Sequence, residues 1–173
     1  MRFTMLMVFA SLFALPHQAT AQDATSSTAQ TATLLPGIQG VHFAISTRRD
    51  EAQKFFDQGL ALIYASNQDE AVRSFRRAAE IDPGSPMPYW GIAVADAQNL
   101  GTPVDPARAK AGSEAAKRSV ELAVRAPAKE RAFAAAIAKR FPADASGNID
   151  ALAVEYKDAM RQLSRTYPND SHA

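Results

Sequence analysis

Cysteine is absent from the 173 residues, and its absence removes three possibilities at once. No disulfide staples the chain, no thiolate serves as nucleophile or metal ligand, and no lipidated cysteine tethers it to a membrane. A charge of one sign is lacking too, since 19 Lys plus Arg stand against 18 Asp plus Glu. A surface of interspersed signs has no basic face with which to neutralise phosphates, which excludes nucleic acid and anionic lipid as expected partners. Histidine is scarce, at His17, His42 and His172, and no two of them have metal-ligand spacing. No GxSxG elbow and no glycine-rich phosphate loop occur, and the scattered Ser, His and acidic residues do not assemble into a triad. Asp69 and Glu70 read as helix N-terminal charges that complement the dipole, not as an acid–base pair. The expectation is a protein that is not an enzyme, with no catalytic, metal or cofactor residue.

A long hydrophobic run is missing as well. The apolar stretch Met5 to Leu15 follows Arg2 and precedes Pro16 and Ala19-Thr20-Ala21, and it falls short of the roughly 20 residues that span a bilayer. That pattern predicts a signal peptide over 1–21, cleaved after Ala21, in preference to a transmembrane anchor. The product is then periplasmic or secreted with no membrane anchor. Cleavage takes away one basic residue, Arg2, leaving 18 of each sign.

Residues 22–40 are mostly Ala, Thr, Ser and Gln with Gly37, Gly40 and Pro36, too poor in large apolar groups to offset the entropy of ordering, and are expected to be a disordered linker. Val41 to Ser46 carries enough apolar residues to dock as an extended lead-in, with His42 half-buried against the first helix. No stretch alternates with period two, so no strand is expected. Helix punctuation takes over instead. Asp50 with Gln53 reads as a capping box opening a helix to about Ala65, and Asn67 with Glu70 as a second box. The second helix ends at Asp82-Pro83-Gly84. Ser85 with Pro86, and Asp105 with Pro106, are cap-then-proline starts for helices to about Leu100 and Val124. Two more are expected over about 128–140 and 149–166, halting before Pro142 and Pro168. Arg73, Arg76 and Arg77 fall on the solvent side of the second helix. A short tail, 169–173, follows.

Offset by 34 residues, Phe55 falls on Tyr89 and Gly59 on Ala93, and 34 is the tetratricopeptide period. Phe55-x3-Gly59-x2-Leu62 in one helix and Ala71-x3-Phe75-x2-Ala78 followed by Pro83 in the next resemble that repeat. Small Gly59, Ala71 and Ala78 suit close helix approach, and Phe55 and Phe75 suit the gaps between pairs. Gln58 stands where leucine is usual, Gln68 where an aromatic is usual, and Asp96 where the second unit calls for a bulky residue. The wording His42-Phe43, Phe56-Asp57-Gln58-Gly59-Leu60-Ala61-Leu62, Asp69-Glu70-Ala71 and Tyr89-Trp90-Gly91-Ile92-Ala93 is similar to bacterial exported tetratricopeptide proteins. Members usually continue into further repeats, so the resemblance implies a short or truncated one.

The resemblance implies an all-α fold over 41–168, a tetratricopeptide-like right-handed α-solenoid of about three antiparallel helix hairpins. It implies a protein–protein scaffold or adaptor in the cell envelope. The alternative is an N-terminal segment of a larger exported enzyme or assembly. In such arrays the first helix of each pair lines a concave groove, here Phe56, Leu60, Ile63 and Tyr64, then Met87, Trp90, Val94 and Gln98. Phe56, Leu60, Tyr64, Trp90 and Gln98 are the candidate residues for a protein or peptide partner, with Trp90 foremost because aromatics are enriched at interface hot spots. The competing reading is that Phe56, Ile63 and Trp90 pack against the lead-in or the next hairpin. An uncapped end is expected to leave Val154, Met160 and Leu163 partly uncovered and open to self-association.

Overall fold

Local punctuation sets the helices. The computed structural model describes residues 31–38, 40–97, 105–141 and 148–172. The expected signal peptide, the first part of the linker and Gln98 lie outside the described residues. Among the described residues there are six helices, α1 Asp50–Tyr64, α2 Gln68–Ile81, α3 Pro86–Asp96, α4 Pro106–Ala123, α5 Ala128–Arg140 and α6 Ile149–Thr166, and no strand, so the described part of the chain is all-α.

The caps show why each helix starts where it does. Asn67 accepts from the Glu70 amide at 3.4 Å, Asp105 from Ala107 at 2.9 Å and Asn148 from Asp150 at 2.9 Å. The expected Asp50–Gln53 box does not form: Arg49 is the N-cap and makes no side-chain cap bond. The Gln53 carboxamide is taken by the lead-in, whose amide Ile45 N donates to its Oε1 at 3.0 Å. Ser85 holds the N-cap position of α3 without a cap bond. Pro88 occupies the third helical position and has no N–H to offer it. Between α1 and α2, Ser66 adopts φ 58°. There the Ser66 amide bonds Ile63 O and the Asn67 amide bonds Leu62 O, at 2.9 Å each, a Schellman closure that makes the turn three residues long.

Helices pack in consecutive pairs, α1 with α2, α3 with α4 and α5 with α6. The first helices also meet each other, α1 with α3 and α3 with α5, so they form one continuous face. Phe75 of α2 is the keystone of the first two pairs. A Cβ at Gly59 of α1 would fall 2.5 Å from its Cε1, and one at Gly91 of α3 would fall 2.5 Å from its Cδ1. Both glycines are therefore notches cut for one ring, which lets three helix backbones close around it.

Polar departures from the repeat have physical reasons here. Gln58 is buried: its Oε1 accepts from Leu35 N at 2.7 Å, and its Nε2 donates to Thr33 O and Ser74 Oγ at 3.0 Å each. Residues 31–38, which composition assigns to the disordered linker, are accordingly part of the helical unit Thr31–Ala173, with Ala32 buried. Two main-chain hydrogen bonds to one buried side chain supply what the sparse apolar content does not. Asp96 is only 4% exposed and meets Arg108 Nε at 3.2 Å. Burial pushes its carboxyl above the ordinary range, outweighing the opposing charges of Arg108 and Arg76. A carboxylate whose folded pKa is raised costs stability at neutral pH, and the cost disappears as pH falls through the carboxylate range. Asp96→Asn is thus expected to melt at a higher temperature than the parent at neutral pH, with the difference shrinking on acidification. A lower melting temperature at neutral pH would show that the Arg108 pair outweighs desolvation.

The far end is better covered than the sequence suggests. Leu163 is buried, and Met160, Ala159 and Tyr156 pack on the core, leaving Val154 at 48% exposure as the one large apolar side chain of α6 exposed among the described residues. Of the basic run on α2, Arg73 pairs with Glu70, while Arg77 pairs with Glu80 at 3.0 Å and sits over the Phe55 ring at 6.0 Å.

Candidate functional site

The face shared by α1, α3 and α5 carries an extended piece of the chain's own backbone. Gln53 and Asp57 lie four residues apart on α1, on the side that also presents Phe56, and are joined by a 2.9 Å hydrogen bond from Gln53 Nε2 to Asp57 Oδ1. Together they hold three main-chain groups of the lead-in. Phe43 N donates to Asp57 Oδ1 at 3.1 Å, Phe43 O accepts from Gln53 Nε2 at 2.9 Å, and Ile45 N donates to Gln53 Oε1 at 3.0 Å. From α5, Glu130 accepts both the amide of Ser46 and its hydroxyl, the latter at 2.6 Å. Glu130 is only 2% exposed. A carboxylate so deeply placed needs donors, and the lead-in provides them. Thr47 Oγ1 donates to Asp82 Oδ2 at 2.6 Å and closes the series.

Side chains of the segment alternate, as an extended strand requires. Phe43 and Ile45 are buried, while Ala44 and Ser46 are exposed. The Phe43 ring enters an aromatic pocket with Phe56 of α1 at 6.0 Å, Trp90 of α3 edge-on at 6.3 Å and Phe133 of α5 at 5.1 Å between centroids. Lys129 Nζ lies 4.4 Å from the centre of the same ring, within cation–π range.

The C-terminal tail closes over this pocket. His172 stacks on Phe43 at 4.9 Å with an interplanar angle of 13°, and its Nδ1 is 2.7 Å from Tyr64 OH. Partial burial and then the Asp170 charge raise the Tyr64 phenol above its ordinary range. Asp170 binds Lys129 Nζ at 2.8 Å and the His172 amide at 2.9 Å. Burial works against that carboxylate, but those two bonds and the nearby positive charge outweigh it and hold its pKa below the usual range. A cleft of about 500 Å³ opens between His42, Lys129 and the tail.

No family model, curated protein or solved structure matches the chain. The site therefore rests on its own geometry. Of the residues expected to line an open groove, Phe56, Leu60, Met87 and Trp90 are buried and belong to the core cluster. Phe56, Leu60 and Trp90, expected as partner contacts, are therefore not accessible as such: the Phe43 ring packs directly against Phe56 and Trp90, which is the competing expectation for those two residues. Tyr64 is 59% exposed and remains a surface contact. Ile63 and Val94 are partly buried on the core. His42 is not half-buried, its side chain being 67% exposed, yet its Nδ1 meets Asp57 Oδ2 at 2.7 Å and so still tethers the lead-in to α1.

The polar half of the site escapes sequence reasoning because Asp57 and Glu130 look like ordinary surface residues of their helices and Gln53 reads as part of a capping box. One trace was available. An extended segment such as Val41–Ser46, seated on a helical face, leaves amides that only side chains can satisfy. Among the described residues no group of three or more His, Asp or Glu is placed to hold a metal ion, and no helix is long and apolar enough to cross a membrane.

Proposed function

We propose that the protein is an exported, non-catalytic adaptor of tetratricopeptide type, whose helical pairs stack as a right-handed solenoid and whose first-helix face binds an extended segment of a partner protein in the cell envelope. The solenoid part of the reading is supported by the 34-residue offset of Phe55 and Tyr89 and by one ring, Phe75, shared between notches on successive pairs. The binding part is carried by one observation: side chains of α1 and α5 hydrogen-bond four main-chain groups of the stretch Phe43 to Ser46. A face able to satisfy an extended backbone has the chemistry of strand-type peptide recognition, in which main-chain bonds give affinity and alternate side-chain pockets give selectivity.

Affinity capture from a cell-envelope extract, read by mass spectrometry, tests it. The full chain is expected to return a defined partner, and the Gln53→Ala, Asp57→Ala double variant to lose it while keeping its helical circular dichroism. Equal recovery by both would remove this face from the reading.

A further inference from the structure

Resting on that reading, we infer that Phe43–Ser46 is the resident, displaceable occupant of a peptide site. Its ligand in trans is an extended, non-acidic segment of another protein with an aromatic residue, an aliphatic residue two positions later and a Ser or Thr next to it.

Each requirement is written in the contacts of the resident segment. The Gln53 carboxamide bonds the carbonyl of residue 43 and the amide of residue 45 at once, at 2.9 and 3.0 Å. Two groups two residues apart meet one side chain in this way only when the chain between them is extended. That recognition is blind to side-chain identity, so it is portable to another chain. Selectivity comes from the pockets. Phe56, Trp90 and Phe133 make a box on three helices whose ring spacings of 5.1 to 6.3 Å around Phe43 suit a flat aromatic. The ammonium of Lys129, 4.4 Å from the ring centre, favours an electron-rich face and disfavours a cationic side chain at that position. Ile45 fills the second buried position.

Glu130 supplies the third element. Its two oxygens take the amide and the hydroxyl of Ser46, a fit that Ser or Thr satisfies and that Asp or Glu opposes by setting a second carboxyl group where a donor is needed. Asp57 and Asp82 line the rest of the track, at 2.7 Å from His42 and 2.6 Å from Thr47. The resident segment runs into Arg48 and Arg49. The acidic track and the basic continuation are complementary, which is why the ligand is neutral or basic.

Displacement would proceed through the exposed side of the arm and its cover, since the chain before it is bonded to Gln58 and the chain after it enters α1. His42, Arg48 and Arg49 are exposed, and the cover over Phe43 is a tail tied to α5 by the Lys129–Asp170 pair, beside an open cleft. A segment tethered in cis competes at an effective concentration of about millimolar, so a trans ligand sees only the fraction of molecules whose arm is out.

The probe is a fluorescein-labelled synthetic peptide with the sequence of residues 41–48, read by anisotropy and by the emission of the single tryptophan, Trp90, which sits against the pocket ring. It is expected to bind the full-length Phe43→Ala variant at least ~10-fold more tightly than it binds the parent chain. Unlabelled peptide with Ser46→Thr is expected to compete, and peptide with Phe43→Ala or Ser46→Asp is not. Should the Phe43→Ala chain fail to fold, full-length Phe43→Leu, which keeps an apolar plug but loses the ring stacking, carries the same comparison. A folded, arm-released chain that ignores the peptide, or that binds it no better than the parent does, overturns the resident-ligand inference alone. The adaptor reading fails separately if the peptide binds as expected but saturating peptide leaves every captured envelope protein in place.

Discussion

Replacing Phe75 with alanine is expected to lower the unfolding free energy by about 3–5 kcal/mol, the largest loss for a single core substitution in this chain. The ring is fully buried and lies 5.4 Å from Phe56. The cost belongs at the upper end because the hole cannot close. The nearest backbone on α1 and α3 belongs to Gly59 and Gly91, which have no side chain to swing inward, and Phe56 is held by its own contacts with Phe43 and Trp90. Thermal denaturation should show a fall in Tm of roughly 10–20 °C for a chain of this size. The complementary substitutions, Gly59→Ala and Gly91→Ala, add a Cβ within 2.5 Å of the ring. Each is expected to cost about 1–3 kcal/mol through overpacking, although alanine is the better helix former by about 1 kcal/mol. In the Phe75→Ala background the same glycine changes should be tolerated, since the added methyl enters the vacated space. A Phe75→Ala variant that melts with the parent would show that this ring does not join the first two pairs.

Release of the lead-in is the second large effect. Phe43→Ala is expected to raise the rate of tryptic cleavage at Arg48 and Arg49 by roughly 100-fold, because a loss of about 3 kcal/mol for a buried Phe is two decades in the equilibrium for local opening. Both arginines are exposed, but cleavage needs several residues on either side in an extended, free chain, and in the seated arm these are bonded to Gln53, Asp57, Glu130 and Asp82. Global Tm should move far less than for Phe75→Ala, since the arm lies on the helical framework and joins no two helices of one pair. Unchanged cleavage would mean that the hydrogen bonds, not the ring, hold the arm.

These two residues differ in how plainly they can be read in advance. Phe75 is legible: its i, i+4, i+7 company of Ala71 and Ala78 marks a buried stripe, and the small residue Gly59 stands at the complementary place one helix earlier. Helix ends are legible for the same local reason. α5 and α6 run over 128–140 and 149–166 as expected, and α2 and α4 agree within about a residue of their cap and proline marks. The Asp50–Gln53 box fails because a side chain that could serve its own helix is recruited by a strand-like segment eight residues upstream. Gln58 looks like a defect in a repeat until Thr33 and Leu35 are seen to bond it. The tail residue His172 has nothing near it in sequence to suggest that it meets Phe43 and Tyr64.

By itself, then, the order of residues determined which stretches coil, where most of them stop and, for α2, which stripe turns inward, because caps, prolines and helical periodicity act within a turn or two of the backbone; α3 stops at Asp96, short of the expected Leu100. Only the assembled molecule decided what lies on the first-helix face. The Ser46–Glu130 bond spans 84 residues and the contact of His172 with His42 spans 130, and no pattern of short range encodes which distant backbone will satisfy a buried carboxylate. That pairing is chosen when the helices stack and leave amides, rings and acids facing one another, and it converts a face that reads as an open groove into one already filled.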